Sequence, residues 1–244
     1  MSIQIALQES VLAQFPDTQV HALLAEGLDQ LANPGSGQAP IDEAAAYLAA
    51  HGPAPAELSQ HPAIQGWREA FKAQGLKPSD YPSSVEALAR RALKQGPPRT
   101  GIPAVDLYNA ASIRCLAPVG ACDPDKLARP EMVLRAGQPD TDWFEPLGGP
   151  SSRIKPSSDV IVYASGHTVL CWAFNFRDSA ETALDETSVR GLFVSESVTE
   201  DQHDRSADAL DWLAHVFAER RLECSGPLVL SRAEPRAELP PRSI

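Results

Sequence analysis

The feature that most constrains this chain is a change of periodicity partway along it. Between Asp42 and Leu116, apolar residues recur at helical spacing, and prolines cut the stretch into separate helices. Beyond Gly120 they come in short runs: Met132-Val133-Leu134, Trp143-Phe144, Val160 to Tyr163, Thr168 to Phe174 and Leu192 to Ser195. Gly, Pro, Asp and Ser divide these runs, as they divide strands. Helices gathered in one region and strands in another exclude a βαβ alternation and predict an α+β fold.

The remaining elements fit that class. Ile3, Ile5 and Leu7 alternate along a short strand, and Val20 to Ala25 forms a second between Pro16-Asp17 and Gly27. Asn33-Pro34-Gly35-Ser36-Gly37 reads as a loop. Asp42 to Ala50 predicts a helix stopped by Gly52-Pro53. His61-Pro62 opens a second, carrying Trp67, Ala70 and Phe71, which Gly75 closes. Ser83 and Glu86 have capping-box spacing ahead of Val85, Leu88, Ala89, Ala92 and Leu93. Pro103 starts a helix whose inward stripe is expected to be Val105, Tyr108, Ser112 and Leu116. Ala207 to Leu222 is an amphipathic helix, and Leu228-Val229-Leu230 suits a last strand. The chain is expected to form one domain over residues 1–231, with a mainly helical insert at 34–100, before a polar, Pro-rich tail at 232–244 that frays.

Charge and composition narrow the function classes. No apolar run approaches the ~20 residues of a membrane span, and Met1 to Ser10 has neither the basic start nor the apolar core of a leader. A cytoplasmic protein without a membrane or DNA partner is therefore expected. Cys115, Cys122, Cys171 and Cys224 form no C-x-x-C pair, so free thiols are expected, with no metal and no cofactor. A net charge of −11 argues against non-specific nucleic-acid binding. Arg68, Lys72, Lys77, Arg90, Arg91, Lys94 and Arg99 nevertheless crowd one region, where they form either solvated helix faces or a local patch for one RNA strand.

The chain has no dinucleotide fingerprint, P-loop, zincin motif or nucleophile elbow. Ser165-Gly166-His167 reads as a turn. His167 and Cys171 would share a strand face some ~13 Å apart, too far for a thiolate–imidazole pair. Asp106 and Asn109 share a helix face, serving either a site or the helix dipole and solvent. In Phe174-Asn175-Phe176-Arg177-Asp178, the two rings are expected on one strand face. Asn175 and Arg177 either line a pocket mouth or belong to core packing and a turn, and Arg177 with Asp178 is an ion-pair candidate.

Several of these segments together resemble a known family. Val105 to Ser112, then Pro118-Val119-Gly120, Asp123-Pro124-Asp125-Lys126-Leu127 and Cys171 to Ser179 are similar to free-standing relatives of the B3/B4 module of the phenylalanyl-tRNA synthetase beta chain. The helical stretch from Pro62 through Trp67 and Pro82 to Arg91 resembles it too, so the likeness runs from about Ile3 to Pro227. The resemblance implies a β/β/α layered fold and work on the aminoacyl end of tRNA. In the synthetase the module hydrolyses tyrosine from mischarged tRNA. It also implies roles: Asn109 and the Gly120 backbone at the ester, with Asp106, Tyr108, Asn175, Arg177 and Glu196 around the amino acid. Arg68, Arg90, Arg91 and Lys94 would hold tRNA phosphates on a monomeric protein. Gly120 stands where the synthetase usually has histidine, Trp172 where arginine is usual, and Phe174 and Phe176 replace tryptophans. The alternative function is a tRNA- or amino-acid-binding protein without turnover. A third is a protein-interaction role through the acidic helix at Ala207 to Leu222.

Overall fold

The computed structural model describes residues 2–31, 37–149 and 152–240. Its elements follow in chain order as β1 (Ile3–Leu7), α1 (Glu9–Gln14), β2 (Gln19–Glu26), α2 (Gln38–His51), α3 (Pro62–Ala73), α4 (Ser84–Gln95) and α5 (Pro103–Cys115). Then come β3 (Gly120–Cys122), β4 (Glu131–Ala136), β5 (Ile161–Ser165), β6 (Thr168–Trp172), β7 (Arg177–Asp178), β8 (Arg190–Ser197), α6 (His203–Glu219), β9 (Glu223–Leu230) and β10 (Arg236–Leu239). This is the α+β order read from the sequence. Asn33 to Ser36 of the expected loop lie outside the described residues.

The strands form two sheets. One runs β10-β1-β4-β5-β6-β7 and the other β3-β8-β2-β9. β1 and β4 pair in parallel, whereas β2 and β8 pair antiparallel with Val20 opposite Glu196. Apolar residues on both faces of β2 make the smaller sheet a central layer. Ala22 and Leu24 enter a core shared with Ile3, Ile5, Val162 and Ala164 of the larger sheet. Leu23 and Ala25 point the other way, into a core with Phe193, Leu107 and Ala111 of α5, and Leu210, Leu213 and Phe217 of α6. The layers are therefore β/β/α. Each fully buried Leu or Phe contributes roughly 1.5–3 kcal/mol.

The helices between β2 and β3 complete the first core. Trp67 and Phe71 of α3 are fully buried, and the Trp67 ring meets Phe174 edge-on at 5.4 Å. Ser83 caps α4 by accepting from the Glu86 N–H at 3.4 Å. The Glu86 carboxylate does not complete a capping box, because it receives Arg68 and Arg90 instead.

Two expectations are corrected. α5 is not half-buried along Val105, Tyr108, Ser112 and Leu116; Val105 and Tyr108 are only partly buried, while Ala104, Leu107, Ala110, Ala111 and Ile113 are enclosed. The alanines leave room for neighbours on several sides, so this helix has no single inward stripe. Nor does the whole tail fray from Arg232. Arg236–Leu239 pairs antiparallel with β1, Ile3 opposite Leu239, and Leu239 is 1% exposed. The open edge of β1 supplies partners for this backbone, which composition could not reveal. Leu239→Ala should therefore cost roughly 2–5 kcal/mol in urea unfolding; an unchanged midpoint would mean that the end is loose.

Candidate functional site

The site grows from the end of β8. A strand buried on both faces has no solvated side, so Glu196 carries a carboxyl into the interior, where it is 2% exposed. Two neutral donors hold it. The Tyr163 hydroxyl of β5 donates to Oε2 at 3.1 Å, and the Asn175 amide donates to Oε1 at 2.8 Å. Asn175 is itself fixed by the first turn of α4, whose Ser84 N–H donates to its Oδ1 at 3.2 Å. The chain of bonds thus joins both sheets and a helix N-terminus.

Burial dominates the electrostatics. It pushes the Glu196 carboxyl up to about 7, against the opposing bonds from Asn175 and Tyr163, and nearby Asp178 adds repulsion. Asp178 is also raised by burial, offset by a bond from the Cys171 thiol. Burial raises the thiols of Cys171 and Cys122, with Asp178 the next cause for each, so both are held protonated and poorly nucleophilic.

These groups line a cavity of about 90 Å³. Its apolar wall is Val119, Met132, Leu170, Phe174 and Val194, and its polar groups include Tyr163, Asn175, Asp178 and Glu196. Gly120 and Ala121 of β3, the edge strand of the smaller sheet, form another side. A Cβ at Gly120 would lie 3.9 Å from Asp178 Oδ1, so glycine leaves the space between strand and carboxyl open. The segment after β6 is not strand. Ala173 and Phe174 are left-handed, with φ of 55° and 58°, an arrangement costing roughly 1–3 kcal/mol per residue. Phe174 is pinned between Phe15 and Trp67, each with ring centroids 5.4 Å away. The bend sends Phe174 into the core and leaves Phe176 only partly buried at its margin, so the two rings do not share a face.

Of the residues singled out in the sequence, Gly120, Asn175, Arg177 and Glu196 meet at this cavity. Asp106, Tyr108 and Asn109 are not among its lining residues. Asp106 is fully buried and accepts from the Thr100 N–H and hydroxyl at 2.9 and 2.8 Å, a local tie at the start of α5. Tyr108 packs edge-on to Phe193, its hydroxyl raised by burial and then by Asp178. Asn109 is 7% exposed on the same helix.

The expected ion pair of Arg177 and Asp178 does not form: Arg177 is exposed with its guanidinium over the Phe176 ring, and Asp178 bonds Cys171. The basic region is largely neutralised from within. Arg68 and Arg90 both bind the buried Glu86 carboxylate, at 2.8 and 2.6 Å, whereas Arg91 and Lys94 are exposed and make no ion pair among the described residues. Sequence reasoning missed Tyr163 and Asp178 as site groups. Tyr163 lay in an ordinary β-type run, its partner 33 residues away, and Asp178 was spent on its neighbour.

The model of the B3/4 domain family matches residues 66–223. Among solved structures, an N-terminal fragment of the phenylalanyl-tRNA synthetase beta-subunit from Pyrococcus horikoshii is similar at 14% identity with a TM-score of 0.48. That likeness covers 98% of this chain and 55% of the fragment, so the chain spans about half of the solved fragment. A comparison with curated proteins finds no match. Among the described residues, no helix is long and apolar enough to cross a membrane.

The raised Glu196 carboxyl has a consequence for stability. Its value of about 7 in the folded chain stands against an ordinary 4.5, so between those values the folded state holds a proton that the unfolded state has lost. The contribution is full below about pH 4.5 and is lost as pH rises through about 7, a difference of about 3 kcal/mol. Wild type should lose stability relative to Glu196→Gln between pH 5 and pH 8 in urea unfolding. Parallel pH curves for the two proteins would refute the shift.

Proposed function

The chain belongs to the B3/4 domain family, and on that premise we propose that it binds the aminoacyl end of tRNA and hydrolyses the ester of mischarged aminoacyl-tRNA. The observation that carries this reading is the buried Glu196 carboxyl, held by Tyr163 and Asn175, at an apolar-walled cavity. An aminoacyl group has complementary parts. Its side chain suits the wall of Val119, Met132, Leu170 and Val194. Its ammonium suits the two carboxyls, Glu196 and Asp178, which have only the exposed Arg177 as a cation on the same lining. Its ester then faces β3, which pairs with β8 on one side and has an open edge on the other.

The chemistry required is modest. An aminoacyl ester needs an oriented water and donors for the developing oxyanion rather than a strong nucleophile. Backbone N–H groups along Gly120–Cys122 offer such donors, and the protonated thiols of Cys122 and Cys171 are not asked to attack. RNA phosphates would follow α4 away from the cavity. Ser84 lines the cavity, and Arg91 and Lys94 stand seven and ten residues further along, about 10 and 15 Å by helical rise.

A second reading, binding without turnover, is favoured by one observation: at Gly120 the chain presents only backbone, where the synthetase usually has a histidine.

The deciding experiment is deacylation of a panel of mischarged tRNAs by the purified protein. Hydrolysis of at least one is expected, whereas binding with no hydrolysis across the panel would establish the second reading. For the substrate found, the rate should rise as pH passes through about 7, where Glu196 ionises and can hold the ammonium. Glu196→Gln should remove that dependence and lower kcat/KM roughly 10- to 100-fold, the scale of one buried charged contact. Asn109→Ala, off the cavity lining, should change kcat/KM less than about threefold, about 0.7 kcal/mol. A larger loss would return Asn109 to the site.

A further inference from the structure

A second recess lies away from the cavity, and the two share no lining residue. It is a groove of about 510 Å³ between the end of α2, the end of α5 and the exposed side of α6. Four formal charges stand in it: Arg114 from the last turn of α5, and Arg205, Asp208 and Asp211 from α6. None of the four makes an ion pair among the described residues. Arg205 and Asp208 have the i,i+3 spacing of a helical pair, yet the Arg205 guanidinium instead donates at 3.2 Å to the carbonyl of Cys115, the last residue of α5. Arg114 is also held in place. Its Cζ lies 4.7 Å from the centre of the Tyr47 ring, and that ring stacks on His51 with centroids 4.5 Å apart.

Opposite charges are thus kept apart within one recess. Unpaired charges are ordinary on a convex face, where water covers each one. Here the contacts that fix the guanidinia hold them beside carboxylates they do not meet. The two arginines converge, because Arg205 binds the carbonyl of the residue that follows Arg114. Burial and then Asp208 raise the Cys115 thiol while both arginines oppose them, so three of the four charges surround one point. Asp208 and Asp211 follow Arg205 along α6, about 4.5 and 9 Å on by helical rise. The groove therefore has a cationic end and an acidic flank. A simple anion would meet the two carboxylates, and a simple cation the two guanidinia. A ligand of both signs satisfies all four. The guanidinium fork matches a planar carboxylate, and the carboxylates accept from an ammonium that keeps its N–H donors. A quaternary ammonium would need free aromatic faces, and the Tyr47 ring already carries His51 and Arg114.

We propose that this groove binds a small zwitterion of the free α-amino acid class, its carboxylate on Arg114 and Arg205 and its ammonium on Asp208 and Asp211. The proposal does not depend on the reading of the cavity, which lies among other residues. It accounts for guanidinia that are fixed in place without neutralising the carboxylates beside them.

The test titrates the full chain with each genetically encoded α-amino acid, followed by ligand-observed NMR. At least one should bind with a Kd of about 1 mM or tighter. Its N-acetyl derivative and its carboxamide should each bind about tenfold more weakly, because each removes one of the two charges. Arg114→Gln and the double variant Asp208→Asn, Asp211→Asn should each weaken binding about 3- to 10-fold, the scale of a half-exposed charged contact. All three side chains are exposed, and melting curves check that the variants are folded. No binding across the set overturns the proposal, and so does equal binding of the two neutralised derivatives. Binding that both folded variants retain in full overturns it as well, since the amino acid would then sit elsewhere on the chain, the cavity included. Inorganic phosphate is the last arm. Phosphate that displaces the amino acid at equal concentration would make the groove a plain anion site, which also overturns the proposal.

Discussion

The two central strands of the smaller sheet, β2 and β8, are covered on both faces, and the candidate site follows from that constraint. Alternate residues of β2 enter two different cores, one against the larger sheet and one against α5 and α6. On the paired β8, every residue after Arg190 is buried. A carboxyl placed at Glu196 must therefore be satisfied inside the protein or remain protonated. The structure does both in part: Tyr163 and Asn175 donate to it, yet its titration still moves to about 7. A carboxyl at that value is neither firmly charged nor firmly neutral near physiological pH.

The same constraint links distant segments. Tyr163 arrives from the larger sheet, Asn175 from a bend forced through two left-handed residues, and Ser84 from the start of a helix. None of the three is placed by its own sequence neighbourhood alone. The bend is held because Phe174 fills the gap between Phe15 and Trp67, so the packing of α3 on the core bears on the position of Asn175. A change in the Trp67 layer would be felt at the cavity without touching it.

Charge in this protein is arranged locally. The buried Arg135–Asp142 pair, at 2.7 Å, and the Glu86 carboxylate with its two arginines are closed units that leave little field outside. The cavity and its mouth are organised differently. There, among the described residues, the carboxyls Glu196 and Asp178 have no buried cation beside them, and Arg177 has no carboxylate. Burying a carboxyl without a cation is costly, and both carboxyls answer by holding their protons more tightly.

Much of the fold was legible in the chain. The alternation at Ile3, Ile5 and Leu7, the proline-punctuated helices and the late β-type runs each report a local periodicity, and α1 excepted, the helices and most strands lie where those patterns put them. The α+β class follows from their order. Four residues named from residue type and resemblance, Gly120, Asn175, Arg177 and Glu196, line the candidate cavity. Tertiary structure alone decided the rest. It paired Arg236–Leu239 with β1, left Asp106 and Asn109 off the cavity lining, turned Asp178 inward away from Arg177, and brought Tyr163 within 3.1 Å of Glu196. Periodicity records which face of an element is apolar. It carries no information on which other element will meet that face, and hydrogen bonds between segments 21 to 91 residues apart depend wholly on that meeting.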